Sequence, residues 1–286
     1  MVNGNIMKDK VVLITGATDG IGKEAAKNLA AMDAELVIVG RNPQKTESAV
    51  EDIKTYSGNN NVNHLIADLS SQIQIRRLVE DFQNKYDRLD VLINHAGGIF
   101  LRRRVSVDGI EMTIALNHLS YFLLTNLLLD VLKASAHSRI VNTSSGSHLK
   151  GRINFENINL TRSYFIYTAY SQSKLANVLF TYELARRLEC TGVTVNCQHP
   201  GFVRTNMGAS DNVLVRILKP LIFQIGIPVE EGAETLVYLA SSPDVAGING
   251  KYFYKKEARD SLPLSYNIKD QKRLWELSEK MVGLQT

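Results

Sequence analysis

The chain is poor in cysteine and has no long uninterrupted apolar run, and each shortage excludes a class of protein. Only two cysteines, Cys190 and Cys197, occur in 286 residues, and their spacing matches no metal-binding pattern. We therefore expect no metal site, and we expect reduced thiols in a cytoplasmic protein. The longest apolar tracts, 121–132 and 213–227, are interrupted by charged residues, which predicts that no transmembrane anchor is present.

Neither sign of charge is in large excess. Lys and Arg number 33 against 29 Asp and Glu, a net charge of +4. Because this excess is spread along the chain, we expect no nucleic-acid partner. Residues 1–10 are polar and lack an apolar segment, which predicts no secretory signal. No composition break or repeat interrupts the sequence, so residues 1–286 are interpreted as a single domain.

Short apolar runs rich in β-branched residues alternate with segments of helical period. This order predicts a doubly wound α/β Rossmann fold, in which about seven parallel strands carry helices on both faces. The predicted strands are Val11–Thr15, Glu35–Gly40, Val62–Asp68, Leu89–Asn94, Arg139–Ser145, Val193–Gln198 and Lys251–Tyr254. The predicted helices are Ile21–Met32, Pro43–Tyr56, Ser71–Tyr86, Gly109–Ala134, Ala169–Glu189 and Pro228–Ala240. Ligands bind such sheets at the carboxyl edge, so candidate residues follow the strands.

The first predicted strand runs into a glycine-rich turn, TGATDGIG at positions 15–22. Glycines in a strand-to-helix turn allow a pyrophosphate to approach the free N–H groups of the helix N-terminus. Such a turn also occurs for purely structural reasons. The candidate nucleotide contacts here are Gly16, Thr18, Asp19, Gly20, Ile21 and Gly22.

Arg41 follows the second strand, at a position where an NAD enzyme places an acidic residue against the ribose. An arginine there can pair with a 2′-phosphate, which predicts NADP(H) in preference to NAD(H). The alternative is a surface arginine at a helix start. Asp68 ends the third strand and is a candidate acceptor for the adenine amino group, although a local turn bond is the alternative.

The candidate chemistry centres on Tyr170 and Lys174. Four residues apart on a helix, the two side chains share a face, and we expect the ammonium to lower the phenol pKa from about 10. Such a tyrosine can exchange a proton with a substrate oxygen. Ser145, at the end of the fifth strand, is the candidate for holding that oxygen, although strand-end serines often only cap a turn.

Asn117 lies inside an apolar helical segment, which is unusual for a residue of weak helix propensity. We interpret it as the holder of a water that bridges to Lys174, with a bond to its own helix backbone as the alternative. His95 is interpreted as structural. The remaining predicted cofactor contacts are Leu69, Asn94, Ala96, Gly97, Pro200, Gly201, Val203 and Thr205.

Taken together, these motifs resemble the short-chain dehydrogenase/reductase family, and within it the retinol dehydrogenase-like branch. The resemblance implies that Asn117, Ser145, Tyr170 and Lys174 form a catalytic tetrad, with Lys174 also binding the nicotinamide ribose. It also suggests a homo-oligomer. One departure is that His95 stands where the family usually has asparagine.

These observations predict an oxidoreductase that moves a hydride between nicotinamide and a small-molecule carbonyl or alcohol. The alternative is an NADP(H)-sensing binding protein with little turnover. Residues 202–227 are rich in apolar side chains, and we interpret them as a lid over a lipophilic substrate. An ordinary amphipathic helix, packed on the core or in a subunit contact, is the alternative for this segment.

Overall fold

The buried apolar runs form the strands of a single sheet in the computed structural model, which describes residues 5–135, 137–203 and 226–284. Eight strands in these ranges lie in the order β3-β2-β1-β4-β5-β6-β7-β8. They are β1 Val11–Thr15, β2 Glu35–Gly40, β3 Val62–Ile66, β4 Val91–Asn94, β5 Arg139–Thr143, β6 Thr194–Gln198, β7 Tyr252–Tyr254 and β8 Glu257–Arg259. Neighbours from β3 to β7 pair in parallel, and β8 pairs antiparallel to β7.

Helices separate the strands and cover both faces of the sheet. They are α1 Gly20–Ala31, α2 Pro43–Ser57, α3 Gln72–Gln83, α4 Met112–Ile114, α5 Ser120–Leu127, α6 Leu129–Ala134, α7 Ile166–Arg187, α8 Val229–Ser241 and α9 Ile268–Val282. A single π turn, Ala115–Leu119, joins α4 to α5. Within the described ranges, no helix combines the length and the apolarity needed to cross a bilayer.

Alternate residues of the central strands enter two separate cores, because successive side chains of a strand point to opposite faces. Val12 and Ile14 of β1 pack in the core that α1, α2 and α8 cover. Val11 and Leu13 pack in the core that α3, α5, α7 and α9 cover. Because both faces of these strands are buried, their sequences are continuous apolar runs. This arrangement confirms the predicted doubly wound fold.

The chain changes direction between β1 and β4. It builds outward through β2 and β3 on one side of β1, then crosses to β4 and continues to β8 on the other side. The carboxyl ends of β1 and β4 therefore diverge into opposite connections, which opens a crevice at this edge of the sheet.

Several predicted boundaries are wrong in detail. The strand predicted over Val62–Asp68 ends at Ile66, and the helix predicted over Gly109–Ala134 begins at Met112 and is divided by the π turn. Sequence reasoning missed β8 and α9. Most of the predicted lid, residues 204–225, lies outside the described residues.

Candidate active site

The crevice is closed at its base by the hydroxyl of Thr15, the last residue of β1. Thr15 Oγ1 accepts hydrogen bonds from the backbone N–H groups of His95 and Ala96, at 2.9 and 3.1 Å. It donates to the carbonyl of Ile93 at 3.3 Å. One side chain therefore holds the turn after β1 against the turn after β4.

Two glycines allow these turns to touch. A Cβ on Gly16 would lie 2.7 Å from the Ala96 Cα, and Gly16 has a φ of +73°, a conformation that other residues rarely adopt. A Cβ on Gly22 would overlap the carbonyl oxygen of Gly16. At these two positions no Cβ therefore stands between the turn and the crevice, so a pyrophosphate can approach the N-terminus of α1.

Asp19 and Lys45 occupy the exposed side of the crevice. The Asp19 carboxylate caps α1 by accepting from the Gly20 N–H at 2.8 Å, and Lys45 Nζ lies 2.9 Å from its other oxygen. The Lys45 hydrogen bond lowers the pKa of Asp19, and the Gly20 N–H adds to that effect. Asp19 therefore contributes as a cap.

Arg41 lies at the same side, after β2. Its guanidinium is 77% exposed and lies 3.8 Å from an Asp68 carboxylate oxygen. The other Asp68 oxygen accepts from the N–H and hydroxyl of Ser70, which is the local turn bond considered above. The structure thus brings Arg41, Asp68 and Lys45 to one corner, with two cations near the surface.

Three other predicted contacts have buried side chains. Leu69 packs in the α3 core, and Ile21 packs in the opposite core. The Asn94 amide donates to Thr125 and Asn142, each at 2.9 Å. Any cofactor contact at these positions therefore depends on the backbone, and their predicted roles stay predictions.

Ser145, Tyr170 and Lys174 meet at the carboxyl end of β5. The Ser145 hydroxyl lies close enough to the Tyr170 phenol to lower its pKa, and both residues are partly exposed. Lys174 Nζ lies over the Tyr170 ring, 5.6 Å from its centroid, and donates to the carbonyl of Thr143 at 3.2 Å. The shared helix face predicted for Tyr170 and Lys174 is confirmed.

The predicted direction of the Tyr170 pKa shift is wrong. Burial raises the pKa of Tyr170 above its usual value, and the Ser145 hydrogen bond only partly opposes this effect. Burial also lowers the pKa of Lys174 to about 8. Helical spacing establishes that two side chains are neighbours, but it does not show how far water is excluded from them. Because its pKa is raised, the Tyr170 phenol carries its proton at neutral pH.

Asn117 lies in the π turn, fully buried beside this cluster. Its amide donates to the Gly98 carbonyl and the Ser173 hydroxyl, both at 3.0 Å, and its Oδ1 accepts from the Gly98 N–H at 2.8 Å. A Cβ on Gly97 would lie 3.1 Å from that oxygen and 3.7 Å from Lys174 Nζ. The Asn117 amide nitrogen has used both its protons, so towards Lys174 the residue can offer only acceptors, the second lone pair of Oδ1 or its backbone carbonyl.

His95 packs between the two turns. Its Nδ1 lies 3.0 Å from the Thr143 hydroxyl, and its Cδ2 would be 2.9 Å from a Cβ on Gly22. Burial lowers the pKa of His95 to about 4, and the Lys174 cation adds to this effect. The ring is therefore neutral at pH 7, as a structural role requires.

The turn after β6 forms the far wall. Gly201 has a φ of +88°, and its N–H donates to His199 Nδ1 at 2.9 Å. The His199 ring stacks on Tyr254 with centroids 4.2 Å apart. Pro200 lies within this turn, and Val203 forms an isolated bridge with Ile227. Thr205 lies outside the described residues.

Comparisons with known proteins agree with this geometry. The model of the short chain dehydrogenase family matches residues 10–213. The chain belongs to the short-chain dehydrogenase family. It is 42% identical to human retinol dehydrogenase 14, an alignment that covers 98% of this chain and 88% of that protein. It is 40% identical to human polyprenol dehydrogenase, with coverage of 96% and 86%.

A solved structure also matches over nearly the whole length. It is described as a putative uncharacterized protein from Mycobacterium paratuberculosis, is 30% identical and has a TM-score of 0.77. The alignment covers 97% of this chain and 94% of that one. The molecule is thus a retinol dehydrogenase-like oxidoreductase of the short-chain dehydrogenase family, for which NAD(P)(H) is the typical cofactor.

The residues present are suited to the nicotinamide dinucleotide typical of short-chain dehydrogenases. The glycine turns leave a cradle that a Cβ at Gly16, Gly22 or Gly97 would fill. The N-terminus of α1 offers unpaired N–H groups to a pyrophosphate. Nowhere in the described ranges do three or more His, Cys, Asp or Glu side chains cluster as a metal site would need.

Sequence reasoning missed two residues of this site. Lys45 lies in the first turn of α2, four positions after Arg41, and its charge was visible. Asn177 is fully buried and lies three positions after Lys174, a spacing that places both on one face of α7. Its partners come from β5 and the π turn, which the helical spacing does not reveal.

Proposed function

We propose that the chain is an NADP(H)-dependent oxidoreductase acting on a lipophilic carbonyl or alcohol, with Ser145, Tyr170, Lys174 and Asn117 as its catalytic residues. The observation that carries the proposal is the grouping of Ser145, Tyr170 and Lys174 at the end of β5, where Lys174 Nζ lies 5.6 Å from the Tyr170 ring centroid and donates to the Thr143 carbonyl. Bound nicotinamide supplies or accepts the hydride.

The roles of the residues follow from their donors and charges. In the reductive direction, Tyr170 donates its phenolic proton to the substrate oxygen as negative charge develops there. The Ser145 hydroxyl hydrogen-bonds the same oxygen and fixes its position. The Lys174 ammonium, anchored on the Thr143 carbonyl, stabilises the tyrosinate that remains. In oxidation, the tyrosinate removes the proton from the alcohol.

The preference for NADP(H) is supported by the exposed corner after β2. Among the described residues, Arg41 has one ion-pair contact there, at 3.8 Å to Asp68, and exposed pairs of this kind are weak. A 2′-phosphate offers a stronger, charge-assisted partner. Lys45, whose present partner is Asp19, is a second cation within the same corner.

The lipophilic substrate class is supported by the names of two relatives, retinol dehydrogenase 14 and polyprenol dehydrogenase. Retinol and polyprenol are both apolar alcohols, and the chain aligns with these proteins over almost its whole length. The predicted lid at 202–227 would serve the same purpose, but 204–225 lie outside the described residues.

A substrate screen tests the proposal. Aldehydes, ketones and alcohols of increasing apolar length are offered with NADPH, NADP⁺, NADH and NAD⁺, and the absorbance of the reduced cofactor is followed. We expect turnover with the phosphorylated cofactor and a kcat/KM that rises with apolar length. Cofactor binding without any turnover would favour the sensing protein. Turnover of small polar carbonyls alone would overturn the substrate class.

A further inference from the structure

Asn177 links two backbone carbonyls that border the catalytic centre. It lies on α7 with no exposed side-chain surface. Its amide nitrogen donates to the carbonyl of Asn117 at 2.8 Å and to the carbonyl of Thr143 at 3.0 Å. Both amide protons are therefore used, one towards the π turn and one towards the end of β5.

The Thr143 carbonyl is also the anchor of the catalytic lysine. Lys174 Nζ donates to the same oxygen at 3.2 Å, and a carbonyl oxygen has two lone pairs that can accept both donors. The position of that oxygen therefore sets the position of the ammonium. Asn177 is the second group that holds it in place.

The Asn117 carbonyl is the other end of the link. The Asn117 side chain is held by the backbone of Gly98 and the hydroxyl of Ser173, and Ser173 donates in turn to the carbonyl of Tyr170 at 2.8 Å. With Asn177 on its carbonyl, Asn117 is fixed on both its side chain and its backbone.

His118 lies between Asn177 and α9. His118 Nδ1 lies 3.3 Å from Asn177 Oδ1, and His118 Nε2 lies 2.9 Å from the Ser278 hydroxyl. Burial lowers the pKa of His118 to about 4, so the ring carries one proton at pH 7. The Ser278 hydroxyl donates its one proton to the carbonyl of Leu274 at 2.7 Å, so its oxygen accepts from His118 Nε2, which anchors the ring to α9.

We infer that Asn177 is a positioning residue for the reaction, which holds the Asn117 and Thr143 carbonyls at fixed distances from Lys174 and lies against His118, a ring in contact with Ser278 of α9. This inference rests on the proposed function. Asn177 does not touch the reacting atoms. Its contribution is that the lysine anchor and the π turn move as one unit, with α9 as the outer support.

The test compares Asn177→Leu with the matched control Asn59→Leu. Asn59 is a buried asparagine whose amide also donates to two backbone carbonyls, those of Ala30 and Ala34, at 3.0 and 2.9 Å. It lies away from the crevice, after α2. Both substitutions remove two donations to backbone carbonyls and one contact on the amide oxygen, from the Asn61 N–H at 2.7 Å for Asn59 and from His118 at 3.3 Å for Asn177. Side-chain volume changes little, so their thermal unfolding should be similarly affected.

We expect Asn177→Leu to lower kcat roughly 10- to 100-fold through misplacement of Lys174, with little change in substrate KM. A primary isotope effect with 4-deuterated NADPH should increase, because hydride transfer becomes slower relative to product release. The Asn59→Leu enzyme should keep the parental kcat and isotope effect. Asn177→Ser, which retains one hydroxyl donor, should fall between and serves if the leucine variant does not fold.

Hydrogen exchange provides a readout that does not depend on turnover. The Gly98 amide is protected by Asn117 Oδ1 and should exchange faster in Asn177→Leu but not in Asn59→Leu. Unchanged Gly98 protection, or equal kcat losses in the two leucine variants, would overturn the inference. A parent enzyme that turns over no carbonyl or alcohol would instead contradict the proposed function, and the exchange measurement would still decide whether Asn177 fixes the π turn.

Discussion

Lys174 and Arg41 are cations in different parts of the proposed cofactor site, and their surroundings differ in almost every respect. Lys174 is 3% exposed, and its ammonium donates to a backbone carbonyl that Asn177 also holds. The Arg41 guanidinium is 77% exposed, with one long contact to Asp68.

The two environments suit two different requirements of the proposed reaction. Proton and hydride transfer need groups at fixed distances, which a buried hydrogen-bonded network provides before the substrate arrives. Phosphate recognition needs cations that can exchange one partner for another at little cost, and exposed ion pairs are weak enough to do so.

Removing the proton donor should have the largest effect. Tyr170→Phe keeps the ring but deletes the hydroxyl, and we expect kcat to fall about 10³-fold. The Kd for NADPH, measured by fluorescence, should hardly change. Tyr167→Phe, on the exposed side of the same helix, is the control. Near-parental turnover by the Tyr170→Phe enzyme would show that another group donates the proton.

Replacing the buried cation should stabilise the fold while it abolishes activity. Burial lowers the pKa of Lys174 to about 8, below its unfolded value of about 10.5. The unfolded chain therefore binds a proton at Lys174 more readily than the folded protein does. The resulting penalty on folding stability has its full value below pH 8. It disappears as pH rises through about 10.5. We expect Lys174→Met to raise the free energy of unfolding at pH 7 by about 2 kcal/mol.

Urea unfolding from pH 7 to 10.5 tests this prediction, because the advantage of Lys174→Met should shrink as pH rises. The control is Lys133→Met, at an exposed lysine, which should be close to the parent protein at every pH. If the free energy of unfolding of Lys174→Met exceeded that of the parent by the same amount at every pH, the penalty assigned to the buried ammonium would be contradicted.

The exposed cation should affect binding rather than chemistry. Arg41→Ala should weaken NADPH binding about 10-fold, the value of one charge-assisted hydrogen bond at a partly solvated site. NADH binding and the kcat at saturating NADPH should stay as in the parent. Arg77→Ala, at another exposed arginine, is the control. Equal affinity of the parent for NADH and NADPH would refute the assignment of Arg41.

The smallest effect on kcat is expected at His95, which lies between the glycine-rich turn after β1 and the end of β5. Its pKa of about 4 keeps the ring neutral at working pH, so His95→Asn should change kcat by less than about threefold. Folding stability should respond differently. Because the folded pKa lies below the unfolded value, the parent loses stability as pH falls from about 6.5 to 4, and the variant loses less. Acid unfolding curves of the two proteins measure the difference.

The sequence allowed the proposed catalytic residues to be located because their signals are local. Tyr170 and Lys174 are four positions apart on one helix, and Ser145 follows a continuous apolar strand. The same holds for the glycines of the first turn. In each case a short stretch of sequence contains both the residue and the pattern that predicts its position in the fold.

The parts that escaped prediction depend on contacts between distant segments. Helix α9 turns Gln271 and Ser278 inward, and polar residues on the buried face obscure an amphipathic pattern. Their partners, the Ser265 carbonyl and His118, are known only once the chain has folded. The raised pKa of Tyr170 has the same origin, because burial is a property of the assembled site.

The pairing of β1 with β4 has a further consequence for how the molecule assembles. Val12 aligns with Val91, and the Thr15 hydroxyl bonds the His95 N–H across 80 positions of sequence. Contacts between such remote segments form late, since long loops must close first. The nucleotide cradle therefore does not exist in species that have formed only β1, α1 and β2. A nucleotide that binds the cradle stabilises the finished protein over every partly folded one, so it should slow unfolding without accelerating the early steps of folding.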